Sequence, residues 1–243
     1  MRSMISAVSY LLRSYVRTSR PLMPFLTLLL LTGLLYGTKP VQAADSYTVS
    51  TTILCFASTW IGLTYCEVQS PVSEQLLVLK LGGIVRYQLA YTLSLMVVGL
   101  CAALLCTLLP LLLHVVNGFT LYDPPVNLPT VLFSVLLHFC AAFMGTATGA
   151  FFHPRYVPER KNALLFICFV LVVAFVKVGL HDRLPFARGI TWLFPPIAEL
   201  SESLAGTSSF PPDAVLLRSA HFLLYGGVLT ALRLALLRRL RFS

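Results

Sequence analysis

Long apolar stretches alternate with short polar ones along the chain, and six of the apolar runs approach the length of a bilayer-spanning helix, which needs about 20 residues. The first four runs contain no Asp, Glu, Lys or Arg, the fifth contains Lys177 near one end, and the sixth has Arg218 near its start. Both long side chains can snorkel to an interface. The predicted spans cover residues 21–38, 47–66, 87–116, 129–152, 163–180 and 214–232.

The composition agrees with a membrane protein. Hydrophobic residues make up 57% of the chain and charged residues 11%, whereas soluble domains carry about 25% charged residues. The net charge is +9, but the basic residues are spread between the apolar runs. They do not form the clustered basic face that a nucleic-acid binder needs, so we expect membrane lipid and no nucleic acid as a partner.

The positions of Lys and Arg predict the orientation, because cytoplasmic connections are enriched in these residues. With the N-terminus inside, 13 of the 18 Lys and Arg residues fall on the inner side and 5 on the outer side. This split predicts both termini in the cytoplasm and requires an even number of spans. The location that we expect is a bacterial plasma membrane.

An alternative is that residues 1–44 form a secretory signal, with a basic start, an apolar stretch over 25–36 and "VQAA" as a cleavage site. Against this, the basic part runs for 20 residues with its own periodicity. Removal of this segment would also leave an odd number of spans.

Residues 1–20 form an amphipathic pattern. At 100° per residue, the basic side chains and two serines share one face, and apolar residues fill the opposite face. This pattern is typical of a helix that lies in the membrane interface with its basic face toward anionic lipid. Pro21 then ends the helix. The alternative is a helix that packs on a soluble domain. The interfacial basic residues are Arg2, Arg13, Arg17 and Arg20.

The stretch "EVQSPVSEQLLVLKLGG", residues 67–83, predicts a short helix over 70–81. Ser70 is a good N-cap, Pro71 suits the first turn, and Glu74 is acidic near the helix start. Gly82 and Gly83 supply the stop. The helix is too short to cross a bilayer, and the predicted topology puts it in the cytoplasm.

This short helix carries two apolar stripes. Val72, Leu76 and Leu79 form one, and Leu77 and Leu81 form the other. One stripe can pack on the inner ends of the spans, and the other needs a partner outside the chain. We expect the exposed stripe to be Leu77 and Leu81. The alternative is a hairpin that packs only on its own bundle.

By these features the chain resembles a permease subunit of the type-2 ATP-binding-cassette (ABC) exporter family. The shared pattern is a basic amphipathic elbow helix, six spans, and a coupling helix between spans two and three. Glu67 ends the second span, as an acidic residue often does in that family, and "SPVS" follows it. The family's Gly-Thr pair after the acidic residue is missing, so the chain resembles a divergent member.

The resemblance implies an all-α polytopic membrane protein, with residues 1–243 as one permease domain. It implies two copies of a separate P-loop ATPase and a second permease, identical or different. The cargo would be hydrophobic or amphipathic, such as a drug, an antimicrobial peptide or a lipid-linked molecule. The residues expected to couple to the ATPase are Glu67, Ser70, Pro71, Val72, Glu74, Leu76, Leu77, Leu79 and Leu81.

Residues 181–212 form the longest connection, and "GITWLFPPIAEL" within it is too apolar for a solvated loop. The Trp suits an interface, and the Pro pair divides the stretch in two. It is either a re-entrant segment, as in the resembled family, or a loop on the outer surface. Its marker residues are Trp192, Phe194, Pro195 and Pro196.

Two further patterns concern chemistry and packing. The chain has no P-loop, GxSxG or HExxH motif and no zinc spacing, so we expect no cofactor and no enzymatic activity on this chain. The six Cys are expected to be buried thiols. Alternatives are an enzyme using intramembrane His114, His138 or His221, and a non-transporting sensor or immunity protein. Small residues spaced by four predict a close helix contact, internal or between copies, at Ala141, Gly145 and Gly149.

Overall fold

The computed structural model describes residues 2–37, 39–123, 125–184, 186, 188–204 and 210–239. No strand occurs in these ranges, where helices account for most residues. The helices are α1 (Arg2–Val16), α2 (Leu22–Leu35), α3 (Ala43–Cys66), α4 (Pro71–Leu81), α5 (Ile84–Val116), α6 (Leu128–Phe151), α7 (Arg160–Arg183), α8 (Arg188–Thr191), α9 (Ala198–Leu204) and α10 (Pro212–Arg239).

Five of these helices, α3, α5, α6, α7 and α10, are long and apolar enough to cross a bilayer. The prediction of an all-α multi-pass membrane protein is therefore confirmed at this level. The first predicted span, 21–38, instead forms α2, which has 14 residues. At about 1.5 Å per residue its helical part measures about 21 Å, less than the hydrocarbon core of about 30 Å. The helix is short because Pro21 precedes its start and a turn at Tyr36–Gly37 ends it.

The helix α6 lies at the centre of the bundle and packs on α3, α5 and α10. The predicted small residues lie on its contact with α3. A Cβ atom at Gly145 would overlap the hydroxyl of Ser58, and one at Gly149 would overlap the backbone oxygen of Thr59. Ala141 is fully buried. The contact between these helices is therefore internal. It requires glycine at positions 145 and 149, because the two backbones lie too close for a side chain between them.

The bundle has two ends that we name by their short helices. The α4 end contains α1, α4, residues 152–159 and the C-terminal part of α10. The α9 end contains residues 36, 37 and 39–42, residues 117–123, α8 and α9. The chain around α2 reaches both ends: the guanidinium of Arg20 pairs with Glu67 at the α4 end, while the amide of Val41 donates to the oxygen of Leu121 at the α9 end, 2.9 Å away.

The expectation of six buried thiols is wrong in part. Cys55, Cys66, Cys106 and Cys140 are buried, but Cys101 and Cys168 are exposed. Both exposed residues lie on helices that are long and apolar enough to cross a bilayer, α5 and α7. The described residues contain no group of His, Cys, Asp or Glu that could hold a metal ion.

Candidate functional site

The helix α4 begins and ends through local contacts. The Ser70 hydroxyl accepts a hydrogen bond from the backbone N–H of Ser73 at 3.2 Å, and Pro71 takes the first helical position. Gly82 adopts a left-handed conformation with φ of 75°. Its N–H and that of Gly83 donate to carbonyls of the last turn. These residues fix a helix of 11 residues that points its side chains in defined directions.

The expected assignment of the two stripes is wrong. Leu77 and Leu81 are 9% and 5% exposed, whereas Val72, Leu76 and Leu79 are 65%, 62% and 76% exposed. The buried pair packs on the core that α1 and α5 form with α3. The stripe that remains without a partner in the described part of the chain is therefore the three-residue one.

A shallow groove of about 260 Å3 separates α4 from α1 and borders this exposed stripe. Serines and Tyr10 of α1 form one wall, and Leu76 and Lys80 of α4 contribute to the other. The groove meets the stripe at Leu76. We call Val72, Leu76 and Leu79 the α4 stripe.

Glu74 lies on the opposite side of α4 and is buried, with an exposure of 3%. Its Oε2 atom is 2.9 Å from Nη2 of Arg155, in the connection between α6 and α7. Burial raises the pKa of Glu74, and the Arg155 hydrogen bond and charge oppose that rise. The sequence placed Glu74 at a helix start for its dipole, but the structure uses it as a buried anchor of α4.

Glu67 forms a second anchor beside the start of α4. Its Oε2 accepts a hydrogen bond from Nη1 of Arg20 at 2.7 Å, and its Oε1 is 3.1 Å from Nε of Arg160. This carboxylate joins the end of α3 to the α1–α2 junction and to the start of α7. A cleft of about 450 Å3 borders the cluster at the surface.

The predicted basic face of α1 is divided by these contacts. Arg13 and Arg17 are exposed, but Arg20 is held by Glu67 and so does not belong to a free lipid-facing row. The side chain of Arg2 lies outside the described part of the chain. On the other face, Tyr15 is buried, and its hydroxyl lies 3.1 Å from that of Thr64. Burial raises the pKa of Tyr15 to about 12.

Three residues that the sequence did not single out complete the α4 end. Arg233 of α10 is buried, donates to Gln88 at 2.8 Å and lies 4.3 Å above the ring of Tyr91. His153 is buried nearby, and burial followed by the charges of Arg233 and Arg155 lowers its pKa to about 3. Arg155 is the third. The partners of these three residues are distant in the sequence. The one available signal was Arg233, a charged residue within the apolar pattern of α10.

At the α9 end, the segment with Trp192 and the two prolines connects α8 to α9. Trp192 is exposed, and Pro195 is buried. The expectation that Lys177 of α7 snorkels to an interface is wrong. Its ammonium is buried, pairs with Oε1 of Glu199 at 2.8 Å and donates to the oxygen of Phe194 at 3.2 Å. The segment is therefore fixed to α7 and to the bundle.

His138 lies at the centre of the bundle among hydroxyl groups. Its Nε2 is 2.8 Å from Ser50 Oγ, and its Nδ1 faces Thr107 and Ser134. No carboxylate belongs to the cluster within the described residues. Because the imidazole meets only hydroxyls and a backbone oxygen, this site lacks the acidic partner that a proton relay or acid–base pair would use.

No protein-family model, curated protein or solved structure matches the chain. The function must therefore be inferred from the geometry of α4 and its anchors.

Proposed function

We propose that the chain is the permease subunit of an ABC transporter, and that a separate P-loop ATPase docks on the α4 stripe. The observation that carries this proposal is the exposed row of Val72, Leu76 and Leu79 on a helix held from behind by the buried Glu74. The likeness to type-2 exporters favours export of a hydrophobic or amphipathic molecule. ATP hydrolysis takes place on the partner chain.

The energetics of the α4 stripe support a protein partner. Fully burying a Leu or Val side chain contributes about 1.5–3 kcal/mol relative to its exposure to water. Three such side chains in one row, beside a groove, form the kind of apolar patch that marks an interaction site. The polar caps and Lys80 border this row, as a polar rim borders the centre of an interface.

The ion pairs behind α4 give it a mechanical role in the proposal. Glu74 joins α4 to Arg155, and Glu67 next to α4 is joined to Arg160 at the start of α7. A displacement of α4 by the ATPase would act through these two ion pairs on the connection between α6 and α7 and on the start of α7. The free energy of ATP binding would thereby reach the spans without a contact between the ATPase and the bilayer.

The proposal includes six crossings and cytoplasmic termini. The 14 residues of α2 are few for a span, but the stretch from Arg20 to Val41 connects the two ends of the bundle. Arg233, near the end of α10, bonds to Gln88 near the start of α5, so α10 ends on the side where α1 lies. Both features support termini on one side, and the distribution of Lys and Arg favours the cytoplasm as that side. We propose a bacterial plasma membrane as the location. A second permease and two ATPase copies complete the transporter.

The experiment is purification of the tagged chain in mild detergent after coexpression with a P-loop ATPase encoded beside it. The proposal expects a stable complex whose ATPase activity differs from that of the ATPase alone. A chain that purifies without the ATPase and leaves its activity unchanged would instead favour a sensor or immunity protein.

A further inference from the structure

A pocket of about 490 Å3 opens on the side of the bundle, between α7, α10 and the segment that joins α8 to α9. We call it the lateral pocket. Its lining is divided into a charged part, formed by Lys177, Glu199 and Arg218, and an apolar part, formed mainly by Trp192 and the side chains of α10. The transport proposal makes no use of this pocket.

The charged part has one cation in excess. Lys177 is compensated by Glu199, since their charged atoms are 2.8 Å apart. Arg218 donates from Nε to the hydroxyl of Ser203 at 3.2 Å, and within the described residues no carboxylate lies within ion-pair distance of it. Two cations against one anion leave a local charge of +1. An anionic group is therefore the electrostatic complement of this part of the pocket.

The apolar part continues from the charged part along α10. Leu224, Val228 and Leu232 are spaced by four and so lie on one face of the helix. They cover about 12 Å of helix length, and all three are substantially exposed. Because α10 is one of the five helices able to cross a bilayer, this face looks toward the hydrocarbon.

We propose that the lateral pocket binds one anionic phospholipid of the surrounding bilayer. Its phosphate would contact Arg218, whose planar guanidinium matches phosphate oxygens bidentately, and one acyl chain would lie along Leu224, Val228 and Leu232. The pocket opens sideways, where the bilayer supplies phospholipid at high concentration. The inference requires only a membrane-embedded bundle, so it stands or falls independently of the ATPase.

The test is native mass spectrometry of the delipidated full chain, titrated with phosphatidylglycerol or phosphatidylcholine of equal acyl length. Both lipids carry the phosphate, but only phosphatidylcholine also brings a fixed ammonium, which the excess positive charge of the site repels. One phosphatidylglycerol should therefore bind about tenfold or more tightly than phosphatidylcholine. Arg218→Gln should abolish the preference. Arg183→Gln removes an exposed cation from the end of α7, and this variant should retain the preference for phosphatidylglycerol.

A second pair of variants tests the apolar part without altering charge. Leu224→Trp should fill the groove and weaken binding of both lipids, whereas Leu223→Trp, on a neighbouring residue that does not line the pocket, should not. Equal loss in Arg218→Gln and Arg183→Gln would mean general attraction to the surface and would overturn the proposal. So would a co-purified amphiphile of another class that phosphatidylglycerol does not displace, since the occupant would then be cargo.

Discussion

Glu74 and Arg155 form a buried ion pair, with 2.9 Å between Oε2 and Nη2, that joins α4 to the connection between α6 and α7. The two residues are 81 positions apart, and their side chains are 4% and 13% exposed. A pair this enclosed fixes which side of α4 faces the bundle. It therefore also determines which side is left for a partner.

Removing the carboxylate of Glu74 should destabilise the protein. Glu74→Ala removes the hydrogen bond to Arg155 and leaves a gap behind α4, and the loss of a hydrogen bond to a charged group costs about 1.5–3 kcal/mol. Thermal unfolding in detergent should show a clear fall in the melting temperature. Glu202→Ala, at an exposed position of α9, is the control and should unfold like the native chain. Equal melting temperatures for all three proteins would show that the pair does not anchor α4.

The buried His153 should make stability depend on pH. Its pKa is lowered from 6.5 to about 3 in the folded protein, so the unfolded chain binds a proton at higher pH than the folded one. The contribution of neutral His153 to the free energy of unfolding is fully present above pH 6.5, and it is lost as the pH drops toward 3. Glu74, whose pKa is raised, acts in the opposite direction, because protonation favours its folded state.

The measurement is the melting temperature between pH 7 and pH 5 for the native chain and for His153→Asn. The variant should lose less stability over this range, since it has no group that must remain neutral there. His221→Asn, at an exposed position, should keep the native slope. A slope that does not change in His153→Asn would mean that folding does not lower the pKa of this imidazole.

The contact between α3 and α6 should tolerate no side chain at Gly145. A Cβ there meets the hydroxyl of Ser58 and the backbone oxygen of Cys55, and overpacking of this kind costs about 1–3 kcal/mol. Gly145→Ala should lower the melting temperature, while Gly227→Ala should not, because a Cβ at Gly227 meets open space. If the two variants unfold alike, the helices can separate without cost at this point.

The orientation of the chain can be tested with reporters at its two ends. The contacts at the α4 end bring α1 and the end of α10 to the same side, and the positive residues predict that this side is cytoplasmic. A reporter that is active only outside the cytoplasm should stay silent after Ser243 and before Met1. Activity at one end only would mean that α2 does not cross and that the number of spans is five.

The sequence predicted α4 well because its start and stop depend on neighbours. Ser70 caps the third residue after it, and Gly82 takes a conformation that few other residues allow. The exposed face could not be predicted in the same way. Leu77 is buried by residues of α1 about 70 positions earlier, and both stripes are equally apolar in the sequence.

The position of Lys177 was missed for a related reason. A cation near the end of an apolar run is typical of a side chain that reaches the interface, and nothing local contradicts this. Its true partner is Glu199, 22 positions later and beyond a pair of prolines. Only the folding of the α8–α9 segment back onto α7 brings the two charges together, so the sequence alone predicts the wrong environment.

The docking of a P-loop ATPase on the α4 stripe is tested most directly by Leu76→Asp combined with Leu79→Asp. Both side chains are more than half exposed, so the permease should still fold and enter the membrane. If each Leu contributes about 1.5–3 kcal/mol to the contact, the pair should weaken binding by about a hundredfold or more. The matched control, Leu76→Met with Leu79→Met, keeps an apolar surface and should retain the ATPase.

The measurement is the amount of ATPase that co-purifies with each tagged variant from membranes containing equal amounts of permease. The account predicts near-complete loss in the double Asp variant and native recovery in the double Met variant. Full retention of the ATPase by the double Asp variant would contradict the account, because α4 would then serve only to close the bundle.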